Sequence, residues 1–335
     1  MKKPYTTRHH PDAPHGARHA DSVVPVSVLI PVKNEVKNLG RCLDTVAGWA
    51  DEVIVVDSQS TDGTIDLAEQ CNATILQFRY QGGWPKKRQW ALETHAWRND
   101  WILLLDADEI LTHEVKQEIA SAIRNPAIDG YWLKFPIVFL GRMLRFGDTK
   151  LKKLSLFRRG RGRYEKRLEN QDASMSDMEI HEHVVVDGPT GCLRHPVRHE
   201  NFNSLERYID KHNAYSNWEA HVLLRGDDSE LEASLLGNQA QRRRWLKKKF
   251  MRVPGSPLLR FLYIYVLRGG FLDGRAGLTY AMFKFIQTCH VKAKLFELQI
   301  HGDKPKHLPS TDLTSSADSA AVQTASSQQP LRRCG

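Results

Sequence analysis

At 335 residues the chain has length for about two domains of roughly 150 residues each and a full hydrophobic core, which excludes a disulfide-stapled mini-protein. An apolar fraction of 41% and a charged fraction of 26% belong to a globular protein and exclude a wholly disordered chain, while a mean hydropathy of −0.47 assigns part of the length to polar tails. The formal net charge of +9 asks for an anionic partner without choosing among nucleic acid, acidic lipid and a phosphorylated substrate.

Residues 1–22 hold Pro, Gly and His9, His10, His15 and His19 without hydrophobic periodicity and read as a disordered tail. Short β-branched runs then alternate with helical spacing, the pattern of βα units in a parallel sheet. Val26 to Ile30 is the first strand, followed by a helix marked by Leu39, Leu43, Val46 and Ala47; Val53 to Val56 is the second, followed by Ile65, Leu67 and Ala68. Ile75 to Phe78 and a helix over Gln89 to Ala96 form the third unit. Trp101 to Leu105 is apolar throughout and is expected at the sheet centre, with the next helix, capped near Thr112, running through Val115 and Ile119 and stopping before Pro126. The fold class is therefore α/β, a Rossmann-like, mainly parallel sheet flanked by helices. Residues 23–203 are expected to form this domain and 204–302 a helical C-terminal region; 303–335, rich in Ser, Thr, Ala and Gln, form a second disordered tail.

The five cysteines are scattered, with no C-x-x-C pair, and are read as reduced thiols of a cytosolic protein. No apolar stretch reaches the ~18 residues of a membrane span, and the first residues lack an apolar signal core, so neither secretion nor membrane crossing is expected.

Ligands of open parallel sheets bind beyond the carboxyl ends of the strands. Here those ends are Pro31-Val32-Lys33-Asn34-Glu35, Asp57-Ser58-Gln59-Ser60-Thr61-Asp62-Gly63-Thr64 and Asp106-Ala107-Asp108-Glu109. An Asp-x-Asp arises about once by chance in a chain of this length, but two carboxylates directly after a buried strand suit Mg²⁺ or Mn²⁺ bridging to a phosphate. Asp57 either accepts from a base or ribose or caps the second helix, for which Ser60, Thr61 and Asp62 are equally suited. Neither G-x-G-x-x-G nor a P-loop is present, which leaves a metal to hold phosphates.

In combination, V-S-V-L-I-P-V-K-N-E (26–35), V-V-D-S-Q-S-T-D-G-T (55–64) and L-L-L-D-A-D-E (103–109) resemble the family 2 glycosyltransferases, inverting enzymes of the GT-A fold. I-H-E-H-V-V-V-D-G (180–188), the stretch ending at His199, S-L-E-R-Y-I-D-K-H-N-A-Y-S (204–216) and G-G-F-L-D-G-R-A-G-L (269–278) resemble the branch of bacterial lipopolysaccharide-core β-1,4-glucosyltransferases and related exopolysaccharide enzymes. The resemblance implies a uracil contact at Asp57, a nucleotide pocket lined by Pro31, Val32 and Glu35, ribose and metal contacts at Asp106 and Asp108, and His199 either completing the metal shell or serving structure. Arg88, in K-K-R-Q-W-A-L where such enzymes carry Q-K-N-x-A-L, either faces the diphosphate or solvates its loop.

Displacement at an anomeric carbon by a hydroxyl needs a carboxylate base, and Glu182 is the leading candidate over Glu179 and Asp177. The expected partners are a UDP-sugar, UDP-glucose foremost, and a lipid-linked saccharide, with polyprenyl phosphate as the alternative acceptor. Gln241 to Phe250 interleaves Arg242, Arg243, Arg244, Lys247, Lys248 and Lys249 with Trp245 and Leu246, which suits an anionic inner leaflet and a peripheral place on the cytoplasmic face of the inner membrane. A nucleic-acid-binding protein accounts for that run but not for Asp57, Asp106 and Asp108 at one sheet edge, where their charge repels a phosphate backbone, so no nucleic-acid partner is expected; an inactive GT-A-like scaffold is the remaining alternative.

Overall fold

The alternation of β-branched and helically spaced segments builds an ordered succession of elements in the computed structural model, which describes residues 23–147, 149–166, 182–199, 205–225 and 239–301. The first half runs β1 (Val24–Val32), α1 (Val36–Val46), β2 (Ala50–Asp57), α2 (Thr64–Gln70), β3 (Thr74–Gln77), α3 (Lys87–Thr94), β4 (Trp101–Leu104), β5 (Glu109–Ile110) and α4 (His113–Ala122). There follow β6 (Gly130–Pro136), a hairpin of β7 (Val138–Phe139) and β8 (Arg142–Met143), then β9 (Lys150–Arg158), β10 (Gly162–Tyr164), β11 (Val184–Val186), β12 (Thr190–Pro196) and β13 (Arg198–His199). The chain then turns helical, with α5 (Leu205–Arg225), α6 (Gln239–Arg252), α7 (Ser256–Leu262), a π turn over Tyr263–Leu267, a 3-10 turn over Gly270–Asp273 and α8 (Gly274–His301).

The main sheet has seven strands in the order β12-β6-β9-β4-β1-β2-β3, parallel except for β9, which runs antiparallel to both β4 and β6. The apolar β4 lies at its centre, as its composition predicts. β9 breaks the all-parallel expectation for a simple reason: the chain from β6 to β9 contains the small β7–β8 hairpin and no crossover helix, so it returns antiparallel. Side chains alternate in period two between two cores. Val26, Val28 and Ile30 of β1 pack with Leu39 and Leu43 of α1 and Val115 and Ile119 of α4, whereas Leu29, Ile54, Ile102 and Phe157 pack with Ala91 of α3 on the opposite face. Thr112 caps α4 as its position predicts, its hydroxyl accepting from the Val115 N–H at 3.4 Å.

A third core joins the β7–β8 hairpin to the C-terminal helices, with Phe139 and Leu144 against Ile264, Ala276 and Tyr280. The buried Asp273 carboxylate fixes the same junction, accepting from the N–H groups of Arg145 at 3.1 Å and Phe146 at 2.9 Å. Gly277 is required there, because a Cβ would stand 2.0 Å from the Gly270 carbonyl oxygen. Among the described residues no helix is long and apolar enough to cross a membrane. The tails at 1–22 and 303–335 lie outside the described residues.

Asp273→Ala orphans two backbone donors at this junction and is expected to lower the unfolding free energy by about 2 kcal/mol. Urea denaturation reads this as a lower midpoint at constant slope; an unchanged midpoint would assign the junction to apolar contact alone.

Candidate active site

β1, β2 and β4 are parallel neighbours, so their carboxyl ends share one edge, and Val32 pairs directly with Asp57. The first two strand ends are zipped together by short polar side chains. Asn34 Oδ1 accepts from the Thr61 N–H at 2.8 Å, the Asn34 N–H donates to Ser60 Oγ at 2.8 Å, and the Glu35 N–H donates to Thr64 Oγ1 at 2.9 Å. Asp62 serves the starts of two helices at once, accepting from the Val36 N–H at 3.3 Å and the Thr64 N–H at 3.2 Å. Asp57 is buried at the head of this loop and accepts from the Ser60 N–H at 3.0 Å and from the Ser60 hydroxyl. Pro31 is buried, Val32 points its side chain into the core, and Glu35, half-buried, accepts from Asn38 Nδ2 at 2.7 Å.

Beyond β4, three carboxylates occur within four residues, two of them sharing Lys153 and the third facing His199. Asp106 binds Arg88 through one oxygen and Lys153 Nζ of β9 through the other, at 2.9 Å. Burial works to raise its pKa, but the Lys153 and Arg88 charges hold it well below the ordinary carboxylate value. Glu109 accepts from the Asp106 N–H at 2.8 Å and from Lys153 Nζ at 2.7 Å; its burial, with the Asp106 charge next to it, pushes it up to about 7 against the pull of Lys153. Asp108 is held by His199 Nε2 at 3.3 Å through Oδ2, and its Oδ1 is buried without a hydrogen-bond partner among the described residues. His199 arrives because β13 pairs antiparallel with β5, which sets it opposite Glu109. Burial opposes its protonation, yet the hydrogen bond and charge of Asp108 raise its pKa.

The ligand atoms of Asp108, Glu109 and His199 all lie within 4.8 Å of one another. An orphaned, buried carboxylate oxygen beside a second carboxylate and an imidazole fits a hard divalent cation, whose binding would displace the His199 proton. The geometry thus brings together Asp108 and His199 with Glu109, a residue that sequence reasoning passed over, while Asp106 is occupied by cations. Glu109 directly follows the Asp-x-Asp, so its adjacency was the available signal; Lys153, 44 residues further on, had none.

Lys86, Lys87 and Arg88 open α3 and are all buried, Lys86 and Lys87 each 1% exposed, which lysine tolerates only when paired. Lys87 Nζ donates to the Val32 carbonyl at 2.8 Å, Arg88 binds Asp106, and Lys86 Nζ lies 3.0 Å from Glu182 Oε1 and 5.9 Å from the centre of the Trp218 ring. Arg88 therefore does not extend into solvent: it is buried and paired with the Asp106 carboxylate. Glu182 sits fully buried in its ion pair with Lys86. Its competitors Glu179 and Asp177 lie outside the described residues, as do the side chains of Arg242, Arg243, Arg244 and Lys248.

The model of Glycosyl transferase family 2 matches residues 27–183, the span that supplies β1 through Glu182. The chain is 31% identical over 206 residues to an uncharacterized glycosyltransferase of Rickettsia felis, covering 60% of this chain and 70% of that one. It is 26% identical over 285 residues to the lipopolysaccharide core biosynthesis glycosyltransferase LpsC of Rhizobium meliloti, covering 82% and 93%. The sheet with its acidic edge is that of a glycosyltransferase, and the chain belongs to glycosyl transferase family 2. Among solved structures, glucosyl-3-phosphoglycerate synthase from Mycobacterium tuberculosis, in complex with Mg²⁺ and UDP, is similar at 23% identity over 35% of this chain and 45% of that one, with a TM-score of 0.28. This chain thus spans less than half of that structure's length.

Removing the Lys86 charge from beside the buried Glu182 carboxylate, as in Lys86→Met, is expected to cost about 3–5 kcal/mol of stability. Lys86→Met/Glu182→Gln should recover much of it in chemical denaturation; a double-variant loss equal to the sum of the Lys86→Met and Glu182→Gln losses would show that the pair is not coupled.

Proposed function

We propose that the protein is a metal-dependent, inverting hexosyltransferase that moves glucose from UDP-glucose onto a lipid-linked saccharide in lipopolysaccharide core or exopolysaccharide assembly. It works as a peripheral protein on the cytoplasmic face of the inner membrane. The observation that carries the reading is the orphaned Asp108 Oδ1 beside Glu109 and His199 at the sheet edge shared with Asp57. Similarity to LpsC along 82% of the chain supports the lipopolysaccharide assignment.

In this reading Asp57 receives the uracil, and Pro31, Val32 and Glu35 floor the nucleotide pocket. Asp108, Glu109 and His199 hold Mg²⁺ or Mn²⁺, and Arg88 and Lys153 fix Asp106 toward the ribose. The ion, when bound, supplies neutralisation of the charge that grows on the departing diphosphate. The acceptor oxygen forms its bond to the anomeric carbon as the bond to the diphosphate breaks, which inverts that centre and gives a β-linkage. Glu182 takes the acceptor proton, and Lys86, 3.0 Å from its Oε1, holds the carboxylate in place.

Thermal unfolding with UDP, GDP and CDP, each with and without Mn²⁺, tests the donor and metal assignments. UDP with Mn²⁺ at about 100 times its dissociation constant should stabilise by roughly 2.7 kcal/mol, and the gain should vanish without Mn²⁺ and in Asp108→Ala. Stabilisation by UDP that persists in Asp108→Ala would sink the metal assignment. Glu182→Gln should keep the UDP–Mn²⁺ stabilisation while lowering kcat by about 10²–10⁴; normal turnover would remove Glu182 as the base.

A further inference from the structure

Residues 239–301 contain thirteen basic and two acidic residues, a net charge of +11 where the whole chain carries +9. Of the two acids, Asp273 is buried in the hairpin junction, which leaves Glu297 far along α8. The same segment holds fifteen of the twenty-two exposed large apolar side chains among the described residues. Soluble surfaces scatter such residues singly, and a contiguous group marks an interaction face.

The exposed group has a definite geometry. Along α7 and the π turn, Leu258, Leu259, Leu262, Tyr263, Val266 and Leu267 recur at i, i+1, i+4, i+5, i+8 and i+9, one broad stripe of a helix, and each is at least 42% exposed. The core side of the same segment is already filled, with Ile264 buried and Phe261 and Tyr265 packed beside it. This helix is thus apolar on both sides, and among the described residues only one side has a protein partner. The stripe continues past Gly269, whose positive φ lets the chain turn sharply: a Cβ there would meet Leu272 Cδ1 at 3.4 Å and Phe146 Cδ1 at 3.6 Å. Phe146 is itself exposed and belongs to the segment after β8, which is tied in by the Gly147 N–H donating to the Arg268 carbonyl at 2.9 Å. Exposed Met143 and Leu140 extend the face onto the hairpin, and Arg142, Arg145, Arg268 and Arg275 stand exposed around it.

We propose that this face, made by α7, the π and 3-10 turns and the β7–β8 hairpin, seats the protein on an anionic phospholipid bilayer. Leu267, Phe271 and their neighbours enter the boundary between headgroups and acyl chains, and the arginines meet lipid phosphates. The inference rests on the peripheral-membrane part of the proposed function and locates its contact. Charge complementarity selects the occupant: a second copy of the chain would set basic rims against each other, whereas an anionic leaflet complements both the charge and the apolar stripe. Two chain segments more than a hundred residues apart contribute, so the seat is a property of the folded protein rather than of the α6 basic run alone.

Flotation of the full chain with vesicles of phosphatidylglycerol and phosphatidylcholine, against phosphatidylcholine alone, tests the seat. The wild type should float with the anionic vesicles and lose that binding as salt rises. Leu267→Asp/Phe271→Asp, which alters only exposed positions, should reduce partitioning at least about tenfold with unchanged thermal midpoint. Arg142→Glu/Arg275→Glu should remove the preference for phosphatidylglycerol. Wild type that floats with neither vesicle overturns the membrane reading as a whole; wild type that floats together with an equally bound Leu267→Asp/Phe271→Asp overturns this seat and leaves the membrane reading standing. A wild-type dimer by light scattering that this variant converts to a monomer, without vesicle binding, assigns the face to self-association and also overturns the proposal.

Discussion

Asp106, Asp108 and Glu109 stand at the end of a strand buried on both faces, and three carboxylates so close repel one another in a medium that screens poorly. Much of the surrounding architecture answers that repulsion. Arg88 comes from the start of α3, Lys153 from β9 and His199 from β13, so three elements distant in sequence supply one cation or imidazole each. Even the backbone contributes, since the Asp106 N–H donates to Glu109 Oε2 at 2.8 Å. Arg88 and Lys153 serve Asp106 and Glu109, while Asp108 has the His199 imidazole and the more distant Lys211 charge, and among the described residues its Oδ1 accepts no hydrogen bond.

The same logic explains the K-K-R run at the start of α3. Three adjacent cations cannot be buried together unless each is led to a different acceptor, and they are: Lys86 to a carboxylate 96 residues later, Lys87 to a strand carbonyl, Arg88 to the acidic cluster. The helix start thus clamps the carboxyl ends of β1 and β4 and Glu182, two residues before β11, in one place. Lys86, Lys87 and Glu182 are buried in this clamp, whereas Asp106 keeps part of its carboxylate exposed.

How far the sequence reveals this depends on the range of the interaction. The strands, the central position of β4 and the Thr112 cap follow from periodicity and local capping chemistry, and the acids at the strand ends are visible because each ends an apolar run. The zipper between 34–36 and 60–64 was less legible, since Ser60, Thr61 and Asp62 look like caps for their own helix and act instead largely on the neighbouring loop. The reversal of β9 and the pairing of Lys153 with Asp106 and Glu109 were not legible at all. A lysine in K-L-K-K-L looks like a solvent residue until the strand is placed antiparallel between β4 and β6, which turns it onto the acidic edge.

Charge is divided along the chain in a way that composition alone conceals. With +11 in residues 239–301, the remainder is slightly acidic, so the basic isoelectric point describes the C-terminal helices and not the crevice. Arg88 and Lys153 near the crevice are paired with carboxylates, whereas the C-terminal region has two acidic residues to set against its thirteen basic ones and so carries an unbalanced field that acts over a Debye length of about 8–10 Å. The Asp273 junction joins the basic helices to the sheet that carries the crevice, because it ties the hairpin between β6 and β9 to the turn that begins α8.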